Sequence, residues 1–243
     1  MFIFLDTENT GTGPADRLYQ IAFTIKGGYT VNELFNPGMP ITIDAMTVHH
    51  ITNEMVLDKP AFRNSDTWSK LRDLVNSDGY VMVAHNAPFD VDMLKKEGIE
   101  PKSVICTLKL ARHFDKDGVI PKYGLQYLRY YLKLNVDATP HTALGDILVL
   151  EALFNRIYAK AVIEFGDDTI ARMIEISKNP VLYRRMPEVS IQAWRSAALH
   201  RDVSGFCDSG RHRYDSGGIQ PLPVGLGRPL PDLFRAVGDS YSV

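Results

Sequence analysis

Three short extended segments in direct succession open the chain, and they restrict its fold more than anything that follows. Phe2-Ile3-Phe4-Leu5 is an apolar run of strand length that ends at Asp6, Leu18–Ile25 is a second, and Tyr29–Phe35 is a third. Asn9-Thr10-Gly11-Thr12-Gly13-Pro14 has turn composition, and Gly27-Gly28 signals a hairpin. Strands joined this closely pair antiparallel, so the chain starts as a meander. Afterwards helix and strand alternate. Pro37–Pro60 reads as irregular, with one helical turn near Ala45–His50. Trp68, Leu71, Leu74 and Val75 share a helix face, Tyr80–Ala84 is a strand, and Pro88–Glu97 is a helix with Gly98 as its terminator. Val104–Cys106 is a strand and Thr107–Phe114 a helix. Leu125, Leu128, Tyr131 and Leu132 share a face, a long helix runs from Thr142 to Phe165 with Leu144, Leu148, Ala152 and Ile157 as its apolar side, and a last helix covers Asp168–Ser177. The pattern predicts an α/β protein with a mixed five-stranded sheet, an antiparallel meander plus parallel strands, flanked by helices.

Composition narrows the partners. The 243 residues are 45% apolar and 23% charged, with 27 basic against 29 acidic side chains for a net charge of −2. Binding through overall positive charge is excluded, while a local basic groove is not. Two cysteines, Cys106 and Cys207, are too few for a disulfide scaffold or a Cys-rich zinc module. No run of 18 apolar residues exists, so no membrane partner is expected. No basic segment precedes Asp6, and a cytoplasmic location is the expectation.

From about Pro187 the character changes. The last 57 residues hold 7 Gly, 5 Pro and 7 Ser, and none of the 12 Lys lies beyond Lys178. The predicted division is therefore a domain over 1–187 and a poorly ordered tail over 188–243.

Three groups of residues carry chemistry. Asp6 and Glu8 stand two apart at the end of a strand and so project from one face. Carboxylates that close repel, and a hard divalent cation such as magnesium or manganese relieves the repulsion. An acidic strand-end turn is the plain alternative. His85-Asn86-Ala87-Pro88-Phe89-Asp90 follows a strand and opens a helix. Alone, Asp90 reads equally as a carboxylate at a helix N-terminus, Asn86 as its cap and Phe89 as core. His141-Thr142-Ala143-Leu144-Gly145-Asp146 opens the long helix. Pro140 keeps His141 in the loop, where an imidazole can take a proton from water near neutral pH, or be an ordinary surface residue. Together the three groups can set four carboxylates and one histidine around a pair of cations suited to in-line phosphoryl displacement.

These motifs, in this order, resemble those of the DnaQ-like 3′→5′ exonucleases in their histidine-containing subclass. Thr47-Val48-His49-His50-Ile51-Thr52 resembles the loop that precedes their second motif, and Ile105-Cys106-Thr107-Leu108-Lys109-Leu110-Ala111-Arg112 resembles the exonuclease X branch. The resemblance covers about residues 1–187. It implies an RNase H-like sheet, Asp6, Glu8, Asp90 and Asp146 as ligands of two magnesium ions (manganese substituting), and His141 as the base. It implies that Thr7, Asn9, Thr10, Asn86 and Phe89 shape the pocket for a 3′-terminal nucleotide. Asn9 stands where the family commonly has Thr, and His50 where many members have Gly. The expected activity is release of nucleoside 5′-monophosphates from single-stranded 3′ ends of DNA, in repair or replication. RNA trimming, polymerase proofreading, hydrolysis of small nucleotides and a non-catalytic binding role stay open at this stage.

Lys95, Lys96, Lys102, Lys109 and Arg112 are either flanks of a strand-binding groove or an ordinary solvated face. His49 and His50 are adjacent, point apart and lack a third ligand, so no zinc site is expected. Tyr127, Tyr130 and Tyr131 are either a base-stacking platform or core packing, and their spacing on an apolar helix favours core. Relatives of the exonuclease X branch continue past residue 187 with a short basic, Gly-containing motif, which the tail lacks. A reading-frame change near codons 188–190 and a genuine extension both account for this. Within the tail, Pro231-Asp232-Leu233-Phe234 partly resembles a sliding-clamp-binding peptide.

Overall fold

The computed structural model describes residues 1–11 and 13–180. The expectations for residues 188–243, including the frame change and the clamp-like peptide, lie outside the described residues.

Five strands form one sheet in the order β3-β2-β1-β4-β5. β1 (Phe2–Asn9) pairs antiparallel with β2 (Leu18–Ile25), which pairs antiparallel with β3 (Thr30–Leu34). β4 (Val81–Ala84) lies parallel to β1, and β5 (Val104–Cys106) lies parallel to β4. This is the predicted mixed sheet. β1 runs four residues past its apolar stretch because β2 supplies backbone partners as far as Asn9, opposite Leu18. Pairing with β4 covers only Phe2–Phe4. Beyond Leu5, one edge of β1 is therefore uncovered, at the carboxyl end of a parallel strand pair. Such ends are where open α/β sheets bind ligands.

Helices cover both faces, and alternation along β1 decides which residue meets which layer. Phe4 belongs to the core built with α5 (Thr107–Phe114), α6 (Leu125–Tyr131), α7 (Ala143–Phe165) and α8 (Thr169–Lys178). Phe154 of α7 packs edge-on against Phe2 and Phe4, at centroid distances of 4.7 and 5.3 Å. Ile3 and Leu5 face the other core, with Leu71 and Val75 of α3 (Asp66–Asn76) and Leu94 of α4 (Pro88–Lys96). The 23-residue α7 is mostly apolar and packs against the sheet, α5, α6 and α8, which blurs its period. Its buried line runs through Ala143, Ile147, Leu150, Phe154 and Ile157, while Leu148 is 42% exposed. Of the expected side, Ile157 is buried and Leu144 and Ala152 pack half-buried against the core, so the correction falls on Leu148.

α1 (Ile43–His49) is the helical turn expected near Ala45–His50, and a second short helix, α2 (Asn53–Val56), lies in the stretch read as irregular. Tyr131 packs half-buried against the core and stacks on half-buried Tyr127, while Tyr130 is 68% exposed, so the core reading holds for Tyr131 and fails for Tyr130. The five basic residues after the second motif mostly make contacts within the fold. Lys95 meets Glu100, Lys102 meets Asp78, Lys109 meets the Ser177 carbonyl, Lys96 holds the Gly13 and Asp16 carbonyls, and Arg112 lies over Tyr123. Among the described residues no helix is long and apolar enough to cross a membrane.

Candidate active site

Period-2 geometry carries Asp6 and Glu8 onto the face of β1 that already holds Phe4, and this face looks toward α7. The start of α7 is fixed locally. The Thr142 hydroxyl accepts the Gly145 N–H at 3.1 Å and donates to the Thr139 carbonyl at 3.0 Å. A Cβ on residue 145 would lie 1.9 Å from the Thr139 oxygen, so only glycine lets the loop cross the first turn this closely. One residue later, Asp146 points back at the strand. One oxygen from each of Asp6, Glu8 and Asp146 can be chosen so that all lie within 4.8 Å of one another.

Asp90 arrives from the opposite side. It sits in the first turn of α4, is 3% exposed, and accepts the Thr7 hydroxyl at 2.9 Å. Thr7 is the odd-numbered neighbour between the two β1 carboxylates, so its side chain turns toward α4. Asp90 thus stands outside the close trio, although its charge reaches Asp6.

Burial makes this cluster costly in the absence of a counter-charge. It pushes the Asp6 carboxyl well above the ordinary aspartate range, with Asp90, Glu8 and Asp146 adding repulsion. Burial also raises Asp90, to about 7, against the lowering bond from Thr7. Glu8 and Asp146 are raised by burial as well. His49 opposes the shift at Glu8, and Gln126 with His141 opposes it at Asp146. Left to itself, such a cluster keeps protons that a cation would displace. The donors are hard carboxylate oxygens, which suits an oxygen-seeking divalent ion and not a thiolate- or imidazole-bound zinc.

His141 lies in the loop before α7, as expected, and is exposed. Its φ of 58° is left-handed, a conformation that non-glycine residues avoid. Its backbone hydrogen-bonds the Asp146 carboxylate, which sets His141 beside the cluster. His85 is different. Its Nε2 lies 2.7 Å from the Tyr123 carbonyl and its Nδ1 2.9 Å from the Thr107 hydroxyl. A carbonyl only accepts, so Nε2 carries the proton. Burial holds this ring neutral, with a pKa of about 4.

The expected pocket residues are placed as follows. Asn9 is buried. Its Nδ2 donates to the Thr7 hydroxyl at 3.2 Å and the Thr7 carbonyl at 3.3 Å, while its Oδ1 has no partner among the described residues. Thr10 is fully buried and its hydroxyl donates to Asp16 at 2.8 Å. Asn86 is exposed at φ 60°, and Phe89 is half-buried. The helix cap expected of Asn86 is not formed, since Ala87 occupies that position without a side-chain bond.

Three side chains at the site were not among the expected site residues, although His49 lies in the loop that resembles the family's. His49 Nδ1 lies 2.6 Å from Glu8 Oε2, close but poorly aligned, at the end of α1. Gln126 donates to Asp146, and Arg129 holds Gln126. Each reaches the cluster from a distant part of the chain.

Fold and site together define a class: an RNase H-like domain with a carboxylate cluster suited to divalent cations at the end of its central strand. The RNase_T exonuclease family profile matches residues 3–154, and the chain belongs to this DnaQ-like family, whose members use divalent metal ions. Exodeoxyribonuclease 10 of Escherichia coli (strain K12) is 36% identical over 165 residues, 63% of this chain and 66% of that protein. A DNA polymerase III subunit epsilon-like protein of Rhodobacter capsulatus is 30% identical over 210 residues, 76% of this chain and 27% of that protein. The chain therefore spans less than two thirds of the length of either relative. Among solved structures, exonuclease X in complex with 5′ overhanging duplex DNA matches with a TM-score of 0.58 at 33% identity, covering 73% of this chain and 99% of that one.

Proposed function

We propose that this chain is a metal-dependent 3′→5′ exonuclease that hydrolyses DNA from its 3′ end to nucleoside 5′-monophosphates. The observation that carries the reading is the meeting of Asp6, Glu8 and Asp146 within 4.8 Å at the uncovered end of β1, beside the exposed loop that holds His141. In this reading Asp6, Glu8, Asp90 and Asp146 hold two magnesium ions, with manganese able to substitute. Such a pair stabilises charge on the attacking and leaving oxygens of an in-line displacement. His141 takes a proton from the attacking water, whose oxygen bonds to the terminal phosphorus as the P–O3′ bond breaks. The leaving O3′ takes a proton from solvent, so the shortened strand ends in a 3′-hydroxyl, and His141 returns its proton to solvent.

Thr7, Asn9, Thr10, Asn86 and Phe89 shape the nucleotide pocket. Asn9 offers its unsatisfied Oδ1. Thr10 acts through the backbone of its loop, because its hydroxyl is committed to Asp16. DNA is favoured over RNA by the substrates named for exodeoxyribonuclease 10 and for the exonuclease X complex. The epsilon-like relative supports proofreading as the second reading. The catalytic domain is assigned to residues 1–187 and the protein to the cytoplasm. Resequencing the gene across codons 188–190 separates a frame change from a genuine extension, and any clamp peptide at 231–234 stands only in the second case.

The test uses 5′-labelled single-stranded DNA and RNA of one sequence, with and without magnesium, beside Asp6→Ala. The reading requires a metal-dependent ladder shortening from the 3′ end, faster on DNA and absent in the variant. Faster RNA shortening would reassign the substrate. A ladder that survives Asp6→Ala would refute the site.

A further inference from the structure

We propose that Arg129 is a positioning residue that ties the Asp146 carboxylate and the loop carrying His141 into one rigid unit through Gln126. The inference rests on the exonuclease reading above. Arg129 and Gln126 lie three apart on α6, so their side chains share a helix face. The Gln126 amide nitrogen donates to Asp146 Oδ1. Its amide oxygen accepts from Arg129 Nη1 at 3.3 Å, which leaves the amide no freedom to flip. The same Nη1 reaches the Ala138 carbonyl at 3.0 Å, and Nη2 reaches the Val136 carbonyl at 2.6 Å. The guanidinium also lies over the Tyr130 ring, 5.3 Å from its centroid. A planar fork with several fixed donors can hold a side chain and two loop carbonyls at once; an ammonium cannot.

The clamped residues are those that lead into His141. The segment is bracketed by two left-handed residues, Lys133 at φ 53° and His141 at φ 58°, and neither is glycine. A loop entered and left through disfavoured conformations relaxes unless its middle is tied. Val136 and Ala138 are that middle, and Arg129 ties both. The far end closes on the site as well, since the His141 backbone hydrogen-bonds the Asp146 carboxylate. One arginine therefore sets where a metal-holding carboxylate points and where the base stands. Neither Gln126 nor Arg129 belongs to the three motifs.

The test compares Arg129→Met, Arg129→Lys and Gln126→Leu in the full chain, alone and with His141→Ala. The measurements are kcat and KM on a 5′-labelled oligonucleotide, manganese affinity by calorimetry, and melting temperature. Arg129→Met is expected to lower kcat about 10- to 100-fold with KM within about threefold, and to weaken manganese binding several-fold. Gln126→Leu is expected to weaken manganese binding about tenfold, the usual effect of losing a partner behind a metal ligand. Arg129→Lys should recover part of the kcat loss, and it serves alone if Arg129→Met does not fold. In the His141→Ala background the Arg129→Met loss in kcat should shrink to about threefold or less, because no base remains to be placed. The proposal is overturned if Arg129→Met keeps kcat within twofold, if its loss is undiminished without His141, or if KM rises in step. Should the unaltered chain hydrolyse no nucleic acid, the exonuclease reading fails by itself. Manganese affinity then decides this inference, which stands if both variants weaken binding and falls if they do not.

Discussion

The second and third motifs share one spacing, a histidine five residues before an aspartate, and use it in opposite ways. His85 leaves the end of β4, turns inward and has both ring nitrogens bonded, to Tyr123 and Thr107. His141 stands exposed in a strained loop at the edge of the carboxylates. The aspartates diverge too. Asp90 is buried on the α4 side and bonded to Thr7, whereas Asp146 joins Asp6 and Glu8. Spacing alone does not assign a role. What does is the backbone path: a strand end feeds its histidine under the sheet, and a capped loop presents its histidine to solvent.

The largest effect expected from this contrast is the loss of His141. His141→Ala should lower kcat by roughly 10²- to 10⁴-fold, the range for a positioned general base. An exposed loop side chain carries little packing, so the melting temperature should stay within about 2 °C. A melting temperature that falls while kcat holds would exchange the roles of the two histidines.

His85→Leu should do the converse. It strands the Tyr123 carbonyl and removes the acceptor facing Thr107, at a cost of about 1–3 kcal/mol. For a chain of this size that corresponds to a melting temperature lower by roughly 2–10 °C, with kcat of the folded fraction nearly unchanged. The pH dependence of His85 has a definite sign. Its folded pKa, about 4, lies below the unfolded value of 6.5, so its contribution is complete above pH 6.5 and is lost as pH falls toward 4. A kcat loss above tenfold in His85→Leu would bring this histidine into the chemistry.

The carboxylates titrate with the opposite sign. Asp90 is raised from 3.8 to about 7, and Asp6 is raised well above its ordinary range. The metal-free folded state therefore binds more protons than the unfolded chain, and stability is lost as pH climbs from about 4 through 7. A bound cation must displace those protons. Ten millimolar magnesium should thus raise the melting temperature more at pH 8 than at pH 5.5, by a few degrees if the ion is well above its dissociation constant. An equal gain at both pH values, or none, would count against a proton-holding cluster.

Much of this was legible in the sequence, for reasons that differ by element. β2, β5 and α5 have the bounds expected, because Gly and Pro turns or a following helix bracket each apolar run. Asp6 and Glu8 sharing a face follows from the two-residue period of a strand. The convergence of Asp146 on them required the motif resemblance, since α7 lies far along the chain. Gln126 and Arg129 had no local signal, and the loop resemblance around His49 did not give its contact with Glu8. His49 meets Glu8 only because α1 folds back over β1, and the Gln126 contact spans 20 residues. The buried line of α7 was misread because neighbours surround an apolar helix on several sides, leaving no clean solvent face.

The smallest effect concerns the departure at His50. This residue caps α1 at φ 58°, ψ 22°, in the left-handed region, with its N–H donating to the Met46 carbonyl. Glycine reaches this conformation without a Cβ penalty. His50→Gly should stabilise the fold by about 0.5–1 kcal/mol, or roughly 2–4 °C in melting temperature. The gain is net, because glycine also makes the unfolded chain more flexible. His49, the preceding residue, rests on Glu8, so the substitution also probes whether α1 holds that contact through its cap. An unchanged kcat with a higher melting temperature would assign His50 to the fold alone. A changed kcat would mean that the strained cap sets where His49 meets Glu8, and α1 would then join the loop of His141 as a second segment whose backbone conformation tunes the cluster.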